Sequence, residues 1–260
     1  LLVELIGDCE SELLSKLDTL EDQMNCNGFT TNVVRIMKPE DQERVWQVRK
    51  AGLGLMMNVP GDAKPLPFVE DVAVSPEVLS QFVNRFDQIV RDHGTTAGYY
   101  GHASVGCLHM RPMVNLKLQE GVDRMVSIST QVSDLVLEFG GSMSGEHGDG
   151  LVRSVWNEKM FGTRLYNSFK DLKRAFDPNA IMNPGKIVDS PPMTENLRVN
   201  PTYRTRDVKT EFDFLKQGGF AGAVEMCNGQ GACRKVRGGT MCPSYMVSRD
   251  EEHSTRGRAN

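Results

Sequence analysis

Glu146 and His147 stand side by side in Gly145-Glu146-His147-Gly148-Asp149-Gly150, and about forty residues earlier Gly101-His102 and Leu108-His109 add two more imidazoles. Three of the five histidines therefore fall into two glycine-flanked clusters. Two imidazoles and one carboxylate are a sufficient ligand set for a divalent cation. With His102, His109 and Glu146 in that set, His147 is left to move a proton. The chemistry is metal-assisted acid–base work on a small oxygen-bearing substrate. A single histidine is more often a satisfied surface or sheet residue. Glycines on both sides admit close approach by a ligand and tip the reading toward a site.

The elements must bring these groups together. His102 and His109 are seven apart, which puts them on opposite faces of one continuous strand. They converge only if the chain turns between them, and Ser104-Val105-Gly106 offers a turn in which Gly106 can take positive φ. Beyond it, Cys107, His109 and Arg111 share one face of a strand while Leu108 and Met110 take the other. Glu146 and His147, being adjacent, point different ways, which suits one ligand and one base.

Patterning supplies the rest of the frame. Leu1–Ile6 reads as a short strand, followed by an amphipathic helix through Leu13, Leu14, Leu17, Leu20 and Met24. Thr31–Met37 reads as a second strand, and Pro39 opens a helix through Val45, Trp46, Arg49 and Leu53. After a Gly- and Pro-rich loop over Asn58–Pro67, the theme repeats: strand Phe68–Val74, a helix from Pro76 to Val90, then strands Thr95–His102 and Cys107–Val114. Two tandem strand–helix–strand units predict an α+β fold, a ferredoxin-like antiparallel sheet with helices on one face. Long helices follow, through Val122–Phe139 and Met160–Phe176. The expected division is a substrate- and metal-binding domain over 1–190, a linker over 191–216, and a cysteine-bearing segment over 217–260.

Composition narrows the class. The net charge of −4 argues against non-specific binding to nucleic acid or anionic membrane. No apolar run approaches the ~20 residues needed to span a bilayer. The chain opens directly on Leu1-Leu2-Val3-Glu4 and reads as a piece cut from something longer. Six cysteines without a secretory leader argue against a disulfide framework and for a cytoplasmic location, or one peripheral to the inner membrane face.

Gly101-His102 through His109, then Ser144–Gly150, then Phe176-Asp177-Pro178-Asn179-Ala180-Ile181-Met182-Asn183-Pro184-Gly185-Lys186 together resemble the C-terminal half of FAD-linked D-2-hydroxyacid dehydrogenases. That family includes D-lactate, D-2-hydroxyglutarate and glycolate dehydrogenases of the vanillyl-alcohol oxidase superfamily. The resemblance covers about residues 1–190. It implies a divalent metal (Zn, Mn or Fe) on His102, His109 and Glu146, and His147 as the base that takes the substrate hydroxyl proton while hydride passes to FAD. It implies carboxylate contacts from Arg49 and Lys64, and a flavin-side closure by Asn183 and Lys186 beside Gly148. Arg111 stands where relatives usually carry a substrate-binding Asn, which suits a dicarboxylate or a bulkier acid. The family's N-terminal flavin-binding domain lies outside these residues, so the chain is read as the substrate side of a split site. The implied partners are a 2-hydroxyacid and an electron-acceptor protein or quinone; a homodimer is compatible with this reading.

Cys227, Cys233 and Cys242-Pro243 resemble part of a two-cluster ferredoxin module, whose usual run is Cys-x2-Cys-x2-Cys-x3-Cys-Pro. Gln230 occupies the second cysteine position and the last spacing is stretched to eight, so a [4Fe–4S] cluster here would be incomplete. Two other readings stand beside the dehydrogenase. One is a metal-dependent hydrolase using metal-bound water; the other is a non-catalytic metal-binding or electron-transfer module.

Overall fold

The β-hairpin that carries the two histidines forms as its turn chemistry requires. In the computed structural model, which describes residues 1–29, 32–239 and 241–259 (Leu53 by its backbone alone), a 3-10 turn over Ala103–Val105 ends at Gly106 with φ 68°. A Cβ on Gly106 would sit 1.7 Å from the Val74 carbonyl oxygen, so only glycine fits this corner. The turn joins β3 (Ala97–His102) to β4 (Cys107–Val114), paired antiparallel with Tyr100 opposite His109 and His102 opposite Cys107.

Two further short strands complete the sheet along the other edge of β4. β1 (Lys64–Pro65) pairs with Val114 and Met113, and β2 (Val72–Ala73) pairs with Leu108 and Cys107. All pairings are antiparallel, and with the helices below the fold is α+β. Met110 and Val114 face the core, where they pack with Phe68, Val69, Val72 and Val74. Two helices cover that face. α3 (Leu79–Asp92) buries Phe82, Phe86 and Val90, while α4 (Gln119–Glu138) buries Met125, Ile128, Val132 and Val136. Burying such side chains stabilises by roughly 1.5–3 kcal/mol each, so this face anchors the sheet. The opposite residues of β4, Cys107, His109 and Arg111, are thereby turned to the other side.

The chain forms two compact units, Leu1–Leu53 and Gly54–Asn260. In the first, α1 (Glu10–Cys26) and most of α2 (Pro39–Met57) form where periodicity and Pro39 place them. The strands expected over Leu1–Ile6 and Thr31–Met37 do not: residues 1–6 and 32–36 have no regular structure, and Thr31 lies outside the described residues. Of the ferredoxin-like arrangement, only the second strand–helix–strand unit is therefore built among the described residues. The strand expected over Phe68–Val74 shrinks to β2, because Asp71 takes φ 77° and breaks the extended run.

After α4 come a short helix α5 (Gly150–Arg153) and α6 (Asn157–Phe176), which is kinked at Gly162. Residues 178–214 carry neither helix nor strand. Among the described residues beyond them lie three short α-helices: α7 (Gly219–Glu225), α8 (Pro243–Ser248) and α9 (Thr255–Ala259).

Candidate metal and catalytic site

β4 delivers His109 and the hairpin delivers His102 to one side of the sheet, their rings meeting edge-on at 5.7 Å. The Ser144–Gly148 loop lies over them. Its Glu146 Oε1 stands 3.0 Å from His109 Nε2, 3.1 Å from His147 Nε2 and 3.7 Å from His102 Nε2. The imidazoles of His109 and His147 stack in parallel at 4.6 Å. One carboxylate oxygen thus sits among three ring nitrogens.

A buried carboxylate holds that loop in place. Asp71 is fully inaccessible and accepts from the backbone N–H of His147 at 2.8 Å, from that of Glu146 at 3.0 Å, and from the Ser144 hydroxyl at 2.9 Å. Its own carbonyl takes the Gly145 N–H at 2.7 Å. A Cβ on Gly145 would crowd Ala73 and Cys107 at 3.1 Å, so glycine permits this approach. Burial alone would raise the Asp71 pKa, but donation from the His147 N–H, the Ser144 hydroxyl and the Glu146 N–H outweighs it and holds the group below the usual range. Arg153, also buried, spans the same layer. It donates to the Glu70 carbonyl at 2.8 Å and to the Gly148 carbonyl at 2.5 Å, and its guanidinium lies 3.8 Å from Asp71.

The donor set suits a divalent cation. Asp71, His109, Glu146 and His147 each offer a ligand atom within 4.8 Å of the others. Imidazole nitrogen with carboxylate oxygen is the chemistry of Zn, Mn and Fe(II) sites. Burial, then the neighbouring His147, pushes the His109 pKa down, which favours the neutral ligating form. A carboxylate oxygen facing several imidazole nitrogens needs a proton or a cation between them, and His109 Nδ1 is itself buried without a hydrogen-bond partner among the described residues.

The sequence profile described as FAD linked oxidases, C-terminal domain, matches residues 1–187. The chain belongs to that family. It is 37% identical over 220 aligned positions to a D-2-hydroxyglutarate dehydrogenase of Haemophilus influenzae, covering 84% of this chain and 21% of that protein. It is 36% identical over 263 positions to a Pseudomonas putida protein of the same name, covering 100% and 26%. A D-lactate dehydrogenase of Archaeoglobus fulgidus matches at 31% over 150 positions, covering 57% and 31%. The chain thus spans about a quarter of the length of the D-2-hydroxyglutarate dehydrogenases it matches.

Within this FAD-linked oxidase C-terminal domain the other candidate residues fall in several places. Arg111 shares the His109 face of β4 but is buried and ion-paired with Glu70, and its Nη1 donates to Met57 Sδ at 3.1 Å. Glu70 also reaches toward His147 Nδ1, at 3.4 Å. Lys64 is not brought to the histidines. It pairs with Val114, five residues along β4 from His109 and so ~17 Å away at ~3.3 Å per residue, and donates to the Val59 carbonyl at 2.5 Å. Arg49 lies half-buried on α2 in the first unit.

Of the residues expected to close over a flavin, Gly148 takes φ 76° with open space where a Cβ would lie. Lys186 donates to Asn183 Oδ1 at 3.1 Å, both exposed. An open glycine and an exposed amide–ammonium pair are compatible with the polar edge of a flavin ring. The cysteines behave differently. Cys227 is exposed, Cys233 and Cys242 are half-buried, and among the described residues they form no ligand cluster like that of the histidines. Cys242 Sγ instead meets the Thr255 hydroxyl at 2.7 Å and accepts from the Thr255 N–H at 3.1 Å.

Sequence reasoning missed Asp71, Glu70 and Arg153. The available signal was a pair of acids, Glu70-Asp71, inside an apolar run from Phe68 to Val74. Buried carboxylates demand donors, and the Glu146-His147 loop supplies them.

Proposed function

We propose that this chain forms the substrate and metal wall of a flavin-dependent dehydrogenase that oxidises a D-2-hydroxyacid to its 2-oxoacid. The observation that carries the reading is the convergence of His102, His109 and His147 around one carboxylate oxygen of Glu146, in a domain of the FAD-linked oxidase family. The relatives named D-2-hydroxyglutarate dehydrogenase favour a dicarboxylate substrate. Arg111, on the same face of β4, supports that choice as a bidentate cation, provided Glu70 yields or shares it.

In this reading His102, His109 and Glu146 hold the divalent cation, with Asp71 fixing the loop from beneath. His147 accepts the hydroxyl proton. Glu70 on the Nδ1 side favours the tautomer protonated there; Nε2, 3.1 Å from Glu146 Oε1 in this structure, would turn to the substrate with Glu146 drawn onto a cation. The bound groups supply the remaining chemistry, Lewis-acid polarisation of the hydroxyl by the cation and acceptance of the C2 hydride by FAD. Gly148, Asn183 and Lys186 line the flavin side, and Arg49 extends substrate recognition in the assembled protein; Lys64, held at the far end of β4, takes no part in this reading.

The finer assignments follow the same reading. Residues 1–190 make the substrate and metal domain and 191–216 a linker. Cys227, Cys233 and Cys242 of 217–260 contribute thiolates to an iron–sulfur cluster that passes electrons to a protein or quinone acceptor in the cytoplasm. The Cys242-Pro243 pair at the start of α8 supports that role. No helix among the described residues is long and apolar enough to cross a membrane.

The test is anaerobic flavin reduction in the full-length protein. D-2-hydroxyglutarate is expected to bleach the flavin, and His147→Ala to slow that step by about 10²–10⁴-fold. Absence of bleaching by any 2-hydroxyacid overturns the proposal.

A further inference from the structure

A metal-bound histidine is ordinarily oriented by a hydrogen bond from its second ring nitrogen to a carboxylate or a carbonyl, which fixes the plane of the ring. His109 lacks that bond. The residue is 2% exposed, its Nε2 stands 3.0 Å from Glu146 Oε1, and its Nδ1 is buried with no hydrogen-bond partner among the described residues. The nearby carboxylates are engaged elsewhere. Asp71 accepts from the Ser144 hydroxyl and from the Glu146 and His147 N–H groups, and Glu70 is paired with Arg111. Something other than a hydrogen bond must therefore hold the His109 ring in plane.

Neighbouring rings surround it. His147 stacks at 4.6 Å with 7° between the planes, Tyr100 lies at 5.1 Å and 36°, and His102 meets it edge-on at 5.7 Å. Two of these are poor supports. His147 is exposed and has to turn to the substrate in the proposed reaction, and His102 is exposed and is itself a ligand to be placed. Tyr100 is half-buried and stands directly opposite His109 in the β3–β4 pairing, in a register set by the turn at Gly106. Side chains of such a cross-strand pair start from Cβ atoms only ~4.5–5.5 Å apart, so each restricts the rotation of the other. Resting on the metal reading of this cluster, we propose that Tyr100 is a positioning residue of the metal centre: its ring, in place of a hydrogen bond, fixes the plane of the His109 imidazole and so aims Nε2 at the Glu146 oxygen. The role belongs to the flat ring and not to the hydroxyl.

Co²⁺ titrated into the chain tests it, with calorimetry for affinity and the d–d absorption of the ion for the geometry of its ligands. Co²⁺ held by the tail cysteines is told apart by its thiolate-to-metal band. Tyr100→Phe keeps the ring and is expected to leave the affinity within about twofold and the spectrum unchanged. Tyr100→Leu keeps bulk without a flat face and is expected to weaken binding about tenfold and to shift the d–d bands. Tyr100→Val gives the same reading should the Leu variant fail to fold. Tyr99→Leu is the control for a loosened strand: Tyr99 is the next residue of β3, its ring meets Phe86 at 6.0 Å and its hydroxyl donates to Asp87 at 2.8 Å, on the α3 side. That variant should lower the urea midpoint and leave the Co²⁺ spectrum in place. Unchanged affinity and spectrum in Tyr100→Leu overturn the proposal while the metal reading stands. A loss in Tyr100→Phe as large as in Tyr100→Leu, or an equal spectral shift in Tyr99→Leu, overturns it as well. A parent chain that binds no Co²⁺ outside the cysteines overturns the metal reading and this proposal together.

Discussion

The loop from Ser144 to Gly148 and the tail from Cys227 to Cys242 both carry residues with ligand chemistry, yet they are held in opposite ways. The loop is pinned from below by Asp71, which accepts from three of its donors, and by Arg153, which binds its Gly148 carbonyl. Of its partners, His109 stands on β4, whose other face is packed against α3 and α4, and His102 ends β3. The tail is built from short helices and turns, with Cys227 exposed and Cys242 Sγ engaged by Thr255. One region is preorganised by a buried polar layer on a packed sheet. The other has ligand residues whose geometry the local chain does not impose. Preorganisation of this kind comes from the residues behind the ligands rather than from the ligands.

The widest break in that comparison should come from Asp71→Ala. It removes a buried acceptor and strands two backbone N–H groups and a hydroxyl, so urea unfolding should show a loss of about 3–5 kcal/mol. An effect below about 1 kcal/mol in that measurement would mean the loop is held by something else. Next come the two outer histidines. His102→Ala should weaken metal binding by about 10–100-fold while His147→Ala spares it, if His102 is the third ligand and His147 the base. Isothermal titration with Zn²⁺ reads both, and the reverse order would move His147 into the ligand set beside Asp71, His109 and Glu146.

A smaller effect is expected after α6. Asp177 accepts from Lys173 and from the Ile181 and Met182 N–H groups, and the Lys173 bond is the main reason its carboxyl lies below the ordinary carboxylate range. A lowered folded pKa means the stabilisation is present above the unfolded value, ~3.9, and fades as pH falls through the folded one. The urea midpoint gap between the parent and Asp177→Asn should therefore be open at neutral pH and close below about pH 4. A gap that persists unchanged at lower pH would contradict this. The smallest effect belongs to the tail. Cys242→Ser should change fold stability by less than about 0.5 kcal/mol, and a large loss would show that the tail is packed more like the loop.

The hairpin was legible from the sequence because a seven-residue spacing, Gly106 and the alternation of Cys107, His109 and Arg111 all point to one geometry, and it forms in that register. Long helices were legible for the same reason, since α3, α4 and α6 carry a repeated apolar stripe. Two kinds of feature were not. Short strands depend on partners that local patterning cannot name, and so 1–6 and 32–36 remain irregular while Phe68–Val74 narrows to β2. Long-range polar contacts are also silent in periodicity. Asp71 reaches a loop about seventy-five residues ahead, and Glu70 reaches Arg111. Lys64 shows the converse limit: a plausible cation in a loop was placed by pairing with Val114 at the wrong end of β4 to meet the histidines.

Metal occupancy tests the histidine cluster most directly. Zn²⁺ or Mn²⁺ titrated into the metal-stripped chain, followed calorimetrically, is expected to saturate at about one equivalent per chain, and His109→Ala to reduce the affinity by at least about 10–100-fold. Binding that is absent, or that proceeds unchanged in His109→Ala, would contradict the claim that this cluster is a metal centre.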